Sequence, residues 1–330
     1  MKIKGKKRVL SVTQAELTAR ERAGILKALS REAGFLDCRI ARAAFLEEEA
    51  PKLEAWLSAG KHGRMSYMEN HFDLRLDPGR LVPGARSVVT LAYNYFPEEP
   101  AGHPDGPKVS KYAYGEDYHR IIRRKLKEIL SRIRESIGPA EGRVFVDSAP
   151  VMEKAWATRN GTGWTGRHTN VVHPSRGSFF FLAELILDLD LEPDAPIADH
   201  CGTCTRCVDA CPTDALATPY SLDASRCISY LTIELREAIP PSFAGKMENW
   251  VFGCDICQDV CPWNHKFSVV HREPAFQPGV WKDWTSGDWK EMTEEVFEEV
   301  FGRSALRRAG YTGVSRNIRF LESRNGQPDA

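Results

Sequence analysis

Eight of the nine cysteines lie between residues 201 and 261. The first run, Cys201, Cys204, Cys207 and Cys211-Pro212, has the spacing C-x2-C-x2-C-x3-C-P. That run delivers three thiolates to one [4Fe–4S] cluster from a tight loop and sends its fourth to a second cluster. Cys254, Cys257 and Cys261-Pro262 repeat the pattern with one cysteine short, since the expected position is Val251. Cys227 is the unassigned cysteine nearby, and eight cysteines make two sets of four. The crossing rule gives cluster 1 to Cys201, Cys204, Cys207 and Cys261, and cluster 2 to Cys211, Cys227, Cys254 and Cys257. The alternative is a pair of zinc sites, because C-x2-C units also build zinc ribbons. The triple spacing and both Cys-Pro endings weigh against zinc. Disulfides are disfavoured by the clustering. Cys38 stands alone and reads as a small buried apolar residue.

Two clusters form an electron path, and roughly 190 residues precede them, so a further acceptor is expected. Asp147 ends an apolar strand and precedes Ser148 and Pro150. A carboxyl between strand and helix can act as an acid, and burial there would raise its pKa. The competing reading is a helix cap. Residues 161–174 carry three glycines within six residues, then Arg167 and His168. Glycines let backbone approach a large ligand, although a plain turn fits equally. Residues 110–119 gather Tyr112, Tyr114, Tyr118 and His119, which could line a flat cofactor or a partly buried loop. The formal net charge is zero, so no global bias announces a partner. Local basic runs at 119–134, 159–176 and in the tail arginines suit phosphate contacts, or solvated helix faces.

The elements must position these groups. Residues 1–15 read as a loose basic extension without the apolar run of a secretory signal. An amphipathic helix ends at Gly34, and a strand follows over 35–41. Helices are expected near 51–59 and 63–71, a strand over 85–95, and a basic helix over 118–137. Residues 142–147 predict a strand, and 149–161 a helix with Pro150 in its first turn. Two more strands, or a strand and a short buried helix, fit 168–174 and 178–189. The mixture predicts an α+β domain before the cysteine module. No stretch is long and apolar enough to span a membrane, so the default is a cytoplasmic protein.

Together these segments resemble the epoxyqueuosine reductases, the cobalamin-dependent iron–sulfur enzymes of queuosine tRNA modification. The match rests on residues 66–78, 83–95, 111–119, 144–174, 177–191, 227–234 and 253–264, in order and spacing, across about 20–320. The resemblance implies a nitroreductase-like cobalamin-binding domain over 16–194. A ferredoxin-like module with two [4Fe–4S] clusters follows over 195–265, then a short HEAT-like helical remnant over 266–330. It implies two-electron reduction of epoxyqueuosine at the tRNA wobble position, with electrons passing through the clusters to cob(II)alamin. The proton donor falls on Asp147. The cobalamin pocket falls on Asn70, Ser110, Asp147, His168, Val171 and Leu182, with Tyr112, Arg167 and Ser178 as neighbours. Some relatives carry a cysteine where this chain has Ser110, so no cysteine ligand to cobalt is expected. Partners would be the modified tRNA and an external electron donor, and the chain would act as a monomer. Two other functions fit the residues: a dehalogenase-like cobalamin reductase of a small molecule, and a non-catalytic electron carrier.

Overall fold

The structure is a computed structural model that describes residues 17–323. The basic extension expected over 1–15 lies outside the described residues.

A four-stranded antiparallel sheet forms the centre, in the order β1 (Asp37–Arg42), β2 (Ser87–Asn94), β7 (Phe180–Leu187), β4 (Gly142–Phe145). Three small pairs of residues complete the strands before and after β7. They are β3 (Lys108–Val109), β5 (Trp164–Thr165) and β6 (Val171–Val172), and the longer β8 (Trp250–Phe252) follows. The apolar runs of β2 and β7 suit strands buried on both faces.

On one face, Val89, Leu91, Tyr93, Phe181 and Leu185 meet helices Ala19–Glu32 and Tyr118–Ser136. The first helix opens on a capping box between Thr18 and Glu21, and Gly34 beyond its end takes a positive φ of 91°. The long basic helix buries Ile122, Leu126, Ile129 and Ile133 as one stripe and leaves its arginines outward. On the other face, Val88 and Ile186 pack with Leu76, Phe145 and Trp156 of helix Glu153–Arg159. That helix begins three residues after Pro150, because residues 149–152 form a bend in which the Val151 N–H donates to Ala149 O rather than a first helical turn. The helix expected over 63–71 is only the single turn Ser66–Met68.

The cysteine segment and the tail are knitted to this domain. β3 pairs in parallel with β8, 140 residues later in the chain. Trp281, Trp289, Phe297, Phe301 and Leu306 of the tail pack with Val109, Tyr114 and Phe252 into a second core. No helix among the described residues is long and apolar enough to cross a membrane.

Candidate functional site

The cysteines fall into two neighbourhoods. Cys207 lies within charge range of Cys201 and Cys261, and Cys261 within range of Cys204. Cys227 faces Cys211, while Cys254 and Cys257 face each other and Cys227. Cys257 also feels Cys207, so the two groups adjoin. This grouping places together the same eight residues, four and four, that the crossing rule pairs. Burial and mutual repulsion push the Cys254 and Cys257 thiols far up, so these thiolates call for a positive partner. Among the described residues, no three His, Cys, Asp or Glu side chains close around a single ion. The Trp164 indole N–H donates to Cys201 Sγ at 3.4 Å.

A cavity of about 260 Å³ opens beside the second group. Cys211, Cys227, Cys254 and Cys257 line one side, and Ser110, Tyr112, Lys154 and His168 line the rest. His168 is buried, and its Nδ1 accepts the Asn170 N–H at 3.2 Å. The proton therefore sits on Nε2, which has no partner. Burial and the Lys154 charge hold the imidazole down at about 4, so it is neutral near pH 7. An unpaired buried donor in a roomy cavity needs an acceptor, such as the amide side chains around a corrin. Water reaches Lys154 and Tyr112, yet protein surrounds both; burial lowers the Lys154 pKa and raises that of Tyr112. The unpaired donor beside the cysteine quartet suits the amide-bearing edge of a corrin. Gly253, at φ 70°, permits this wall: a Cβ there would meet Ser110 Cβ at 2.5 Å.

Asp147 lies within charge range of two of the lining residues, Tyr112 and Lys154. Its side chain is 66% exposed, so the burial expected for it is absent: the strand ends at Phe145, two residues earlier, and the turn opens outward. It has φ 43°, in the left-handed region. Tyr118 Oη donates to Asp147 Oδ2 at 2.7 Å, and His119 Nε2 lies 3.8 Å from the same oxygen. Burial works against the charged form of His119, but the Asp117 hydrogen bond and charge outweigh it and raise its pKa. The Asp147 N–H donates to Glu153 Oε1 at 2.7 Å. Asp147 is therefore not a helix cap, since its carboxylate receives a tyrosine hydroxyl and no helix amide.

Two family models match the chain: one described as epoxyqueuosine reductase QueG, over residues 75–148, and a 4Fe–4S double cluster binding domain, over 200–264. Epoxyqueuosine reductase of Cyclobacterium marinum is 58% identical over 301 residues, covering 91% of this chain and 96% of the relative. That of Cellulophaga algicola is 54% identical, covering 92% and 99%.

This chain belongs to the epoxyqueuosine reductase family.

A solved epoxyqueuosine reductase bound to an epoxyqueuosine-modified tRNA-Tyr stem loop superposes with TM-score 0.82 at 29% identity, covering 91% of this chain and 80% of that one. A Bacillus subtilis epoxyqueuosine reductase, its catalytic Asp loop swung out of the active site, gives 0.80 at 28% identity, covering 91% and 81%. The fold is thus the α+β architecture of these reductases, with a 4Fe–4S double cluster segment.

None of the remaining expected pocket residues lines this cavity. Val171 and Leu182 pack together with Ala92 and Phe180 behind it. Buried Ser178 accepts a hydrogen bond from Gln258, which does line it. Arg167 donates to Gly202 O at 2.7 Å and stacks on Tyr220, bracing the first cysteine loop. Asn70 is exposed after the Ser66–Met68 turn and does not line the cavity. Sequence reasoning missed Lys154, Glu153, Glu184 and Gln258. The two glutamates had one available signal: Glu184 is an acid inside an apolar strand.

Proposed function

We propose that this protein reduces epoxyqueuosine to queuosine in tRNA. The observation that carries the reading is one cavity lined by a cysteine quartet and a neutral unpaired histidine, with Asp147 within charge range of its Tyr112 and Lys154, in a chain 58% identical to a named reductase. Cys201, Cys204, Cys207 and Cys261 would hold one cluster, and Cys211, Cys227, Cys254 and Cys257 the other. Ser110, Tyr112, Lys154 and His168 would face the corrin, with Val171, Ser178 and Leu182 supporting them. Cobalamin, when bound, supplies the low-valent cobalt chemistry that the epoxide requires.

The chain itself orients substrate and manages protons. Opening the epoxide places charge on oxygen, and that oxygen must leave as water. Asp147 is placed to donate: the Tyr118 hydroxyl fixes one carboxyl oxygen, and the side chain remains open to an incoming nucleotide. Arg123 donates to Ser148 Oγ beside it, and Arg120 and Arg124 on the same helix are free to meet phosphates. The stem loop in the solved relative supports tRNA as the partner. Catalytic residues 16–194, cluster residues 195–265 and tail residues 266–330 would work as one monomer in the cytoplasm. An external donor would supply electrons at the exposed Cys201–Cys204 loop.

The test is reconstitution with iron, sulfide and cobalamin, then epoxyqueuosine tRNA and a strong reductant. Queuosine in the digested tRNA is the expected product; fully loaded protein that yields none overturns the reading.

A further inference from the structure

The reduction consumes two electrons and two protons. Both C–O bonds of the epoxide break, a C=C bond forms, and oxygen departs as water. Asp147 carries one proton at a time, so a second must reach it.

Behind Asp147 lies a second acid pair. Glu184 sits on β7, opposite Thr90 of β2 and Phe145 of β4, with no exposed surface. Neither Glu184 oxygen has a hydrogen-bond donor, and Thr90 Oγ1 is likewise unpaired. The group facing Glu184 is the Glu153 carboxyl. Two ionised carboxylates cannot share that space, since both only accept. With a proton on each, the O–H of one carboxyl can donate to the other. Glu153 Oε1 meanwhile accepts the Asp147 N–H at 2.7 Å. The other charges facing the pair are Asp147, His119 and Lys154, with the Tyr118 hydroxyl nearby.

We propose that Glu153 and Glu184 form a proton-storing pair that reloads Asp147 between the two proton steps. This rests on the reduction proposed above. Asp147 gives its proton to the opening epoxide and becomes a carboxylate. Glu153 passes its proton to Asp147, which delivers it to the departing oxygen. The Glu153 carboxylate left behind keeps two donors, the Asp147 N–H and the Glu184 O–H. Solvent, which reaches Asp147, restores both protons before the next turnover. The resting state is consistent: burial and then the Asp147 charge push Glu153 up to about 8, and burial and then Glu153 raise Glu184 further. Glu153 is thus a positioning residue for Asp147 as well as its proton source.

Glu153→Gln separates these roles. Its amide oxygen still accepts the Asp147 N–H, and its NH2 donates to Glu184, but no proton can be passed. The reconstituted variant should keep cluster absorbance and KM for tRNA, lose about tenfold in kcat, and lose the alkaline limb of the kcat–pH profile. Infrared spectra of the protein without cofactors supply an independent readout. At pH 7 they should contain the carbonyl stretch of a buried neutral carboxylic acid, reduced in both Glu153→Gln and Glu184→Gln. Absence of that band in the unaltered protein, or a Glu153→Gln enzyme with unchanged kcat and pH profile, overturns the proposal. The band is read without substrate. Wild-type protein that shows the band but makes no queuosine therefore overturns the functional reading and the relay, not the protonated state of the pair.

Discussion

Asp147 concentrates the chemistry into one residue, and its backbone shows how to test it. A non-glycine residue at φ 43° carries a local cost of about 1 kcal/mol, which Asp and Asn tolerate better than other side chains. Asp147→Asn therefore keeps the turn and removes only the acid. We expect turnover to fall by at least about a hundredfold, with cluster absorbance and tRNA binding retained; single-turnover product analysis checks it. Tyr118→Phe removes the hydroxyl that fixes Oδ2 and should cost less, about tenfold, because the acid itself survives. At this scale the sequence was legible wherever spacing encodes chemistry. The cysteine runs could be paired by counting, because their ligation geometry is local. Asp147 could be placed at a strand end but not its exposure, which depends on how residues 148–152 depart. Glu153 and Glu184 lie 31 positions apart and meet only through the sheet, so no spacing announces them.

Elements join at a polar knot where β7 begins. Asn264, in the helix Pro262–Phe267 that follows the last cluster cysteine, accepts the Ser178 N–H. Its Nδ2 donates to Gln258 O at 2.7 Å and to Ser178 Oγ at 2.9 Å. Gln258 in turn donates to Ser178 O at 3.0 Å and lines the cavity. All three side chains are buried, so none has water as an alternative. Asn264→Ala leaves the buried Ser178 amide unpaired, while the Gln258 carbonyl keeps the Cys261 N–H, and should cost about 2 kcal/mol. Urea unfolding of the variant would measure that loss, and cavity binding should weaken because Gln258 loses its anchor. The long strands β2 and β7 and the basic helix were legible from apolar runs and periodicity. The two-residue β3 was not: it exists because Lys108 and Val109 find β8 far along the chain. The late start of helix Glu153–Arg159 has the same origin, since its first turn is displaced to bring Glu153 under Asp147.

The whole molecule is formally neutral, yet its charges are not interchangeable. In the tail, Arg308 pairs with Glu234, Arg303 with Glu116, and Arg316 binds the carbonyls of Leu231 and Glu237. These arginines staple the tail to the cluster segment and, through Glu116, to the first domain, so less of that basic run is left for phosphates than its composition implied. Stability should instead be governed by two buried carboxyl sites of opposite sign. Asp37 at the start of β1 is desolvated, but hydrogen bonds from His173 and Arg39 prevail and lower its pKa to about 2. Its folded pKa lies below its unfolded value, so its contribution is present above about pH 4 and is lost as pH falls through about 2. Roughly two pKa units correspond to about 2 kcal/mol. Glu153 has the reverse sign. Its folded pKa is raised to about 8 by burial and by Asp147, so its contribution is present below about pH 4.5 and is lost as pH rises through 8. The conformational stability of the protein without cofactors should therefore peak in weak acid and decline on both sides. Urea titrations across pH 2–9 should show Asp37→Asn flattening only the acid limb and Glu153→Gln only the alkaline one. The two substitutions sit on opposite sides of the β2–β7 pair and share no partner, so their effects should add. If either variant altered the other's limb, the assignment of the two limbs to separate sites would fail.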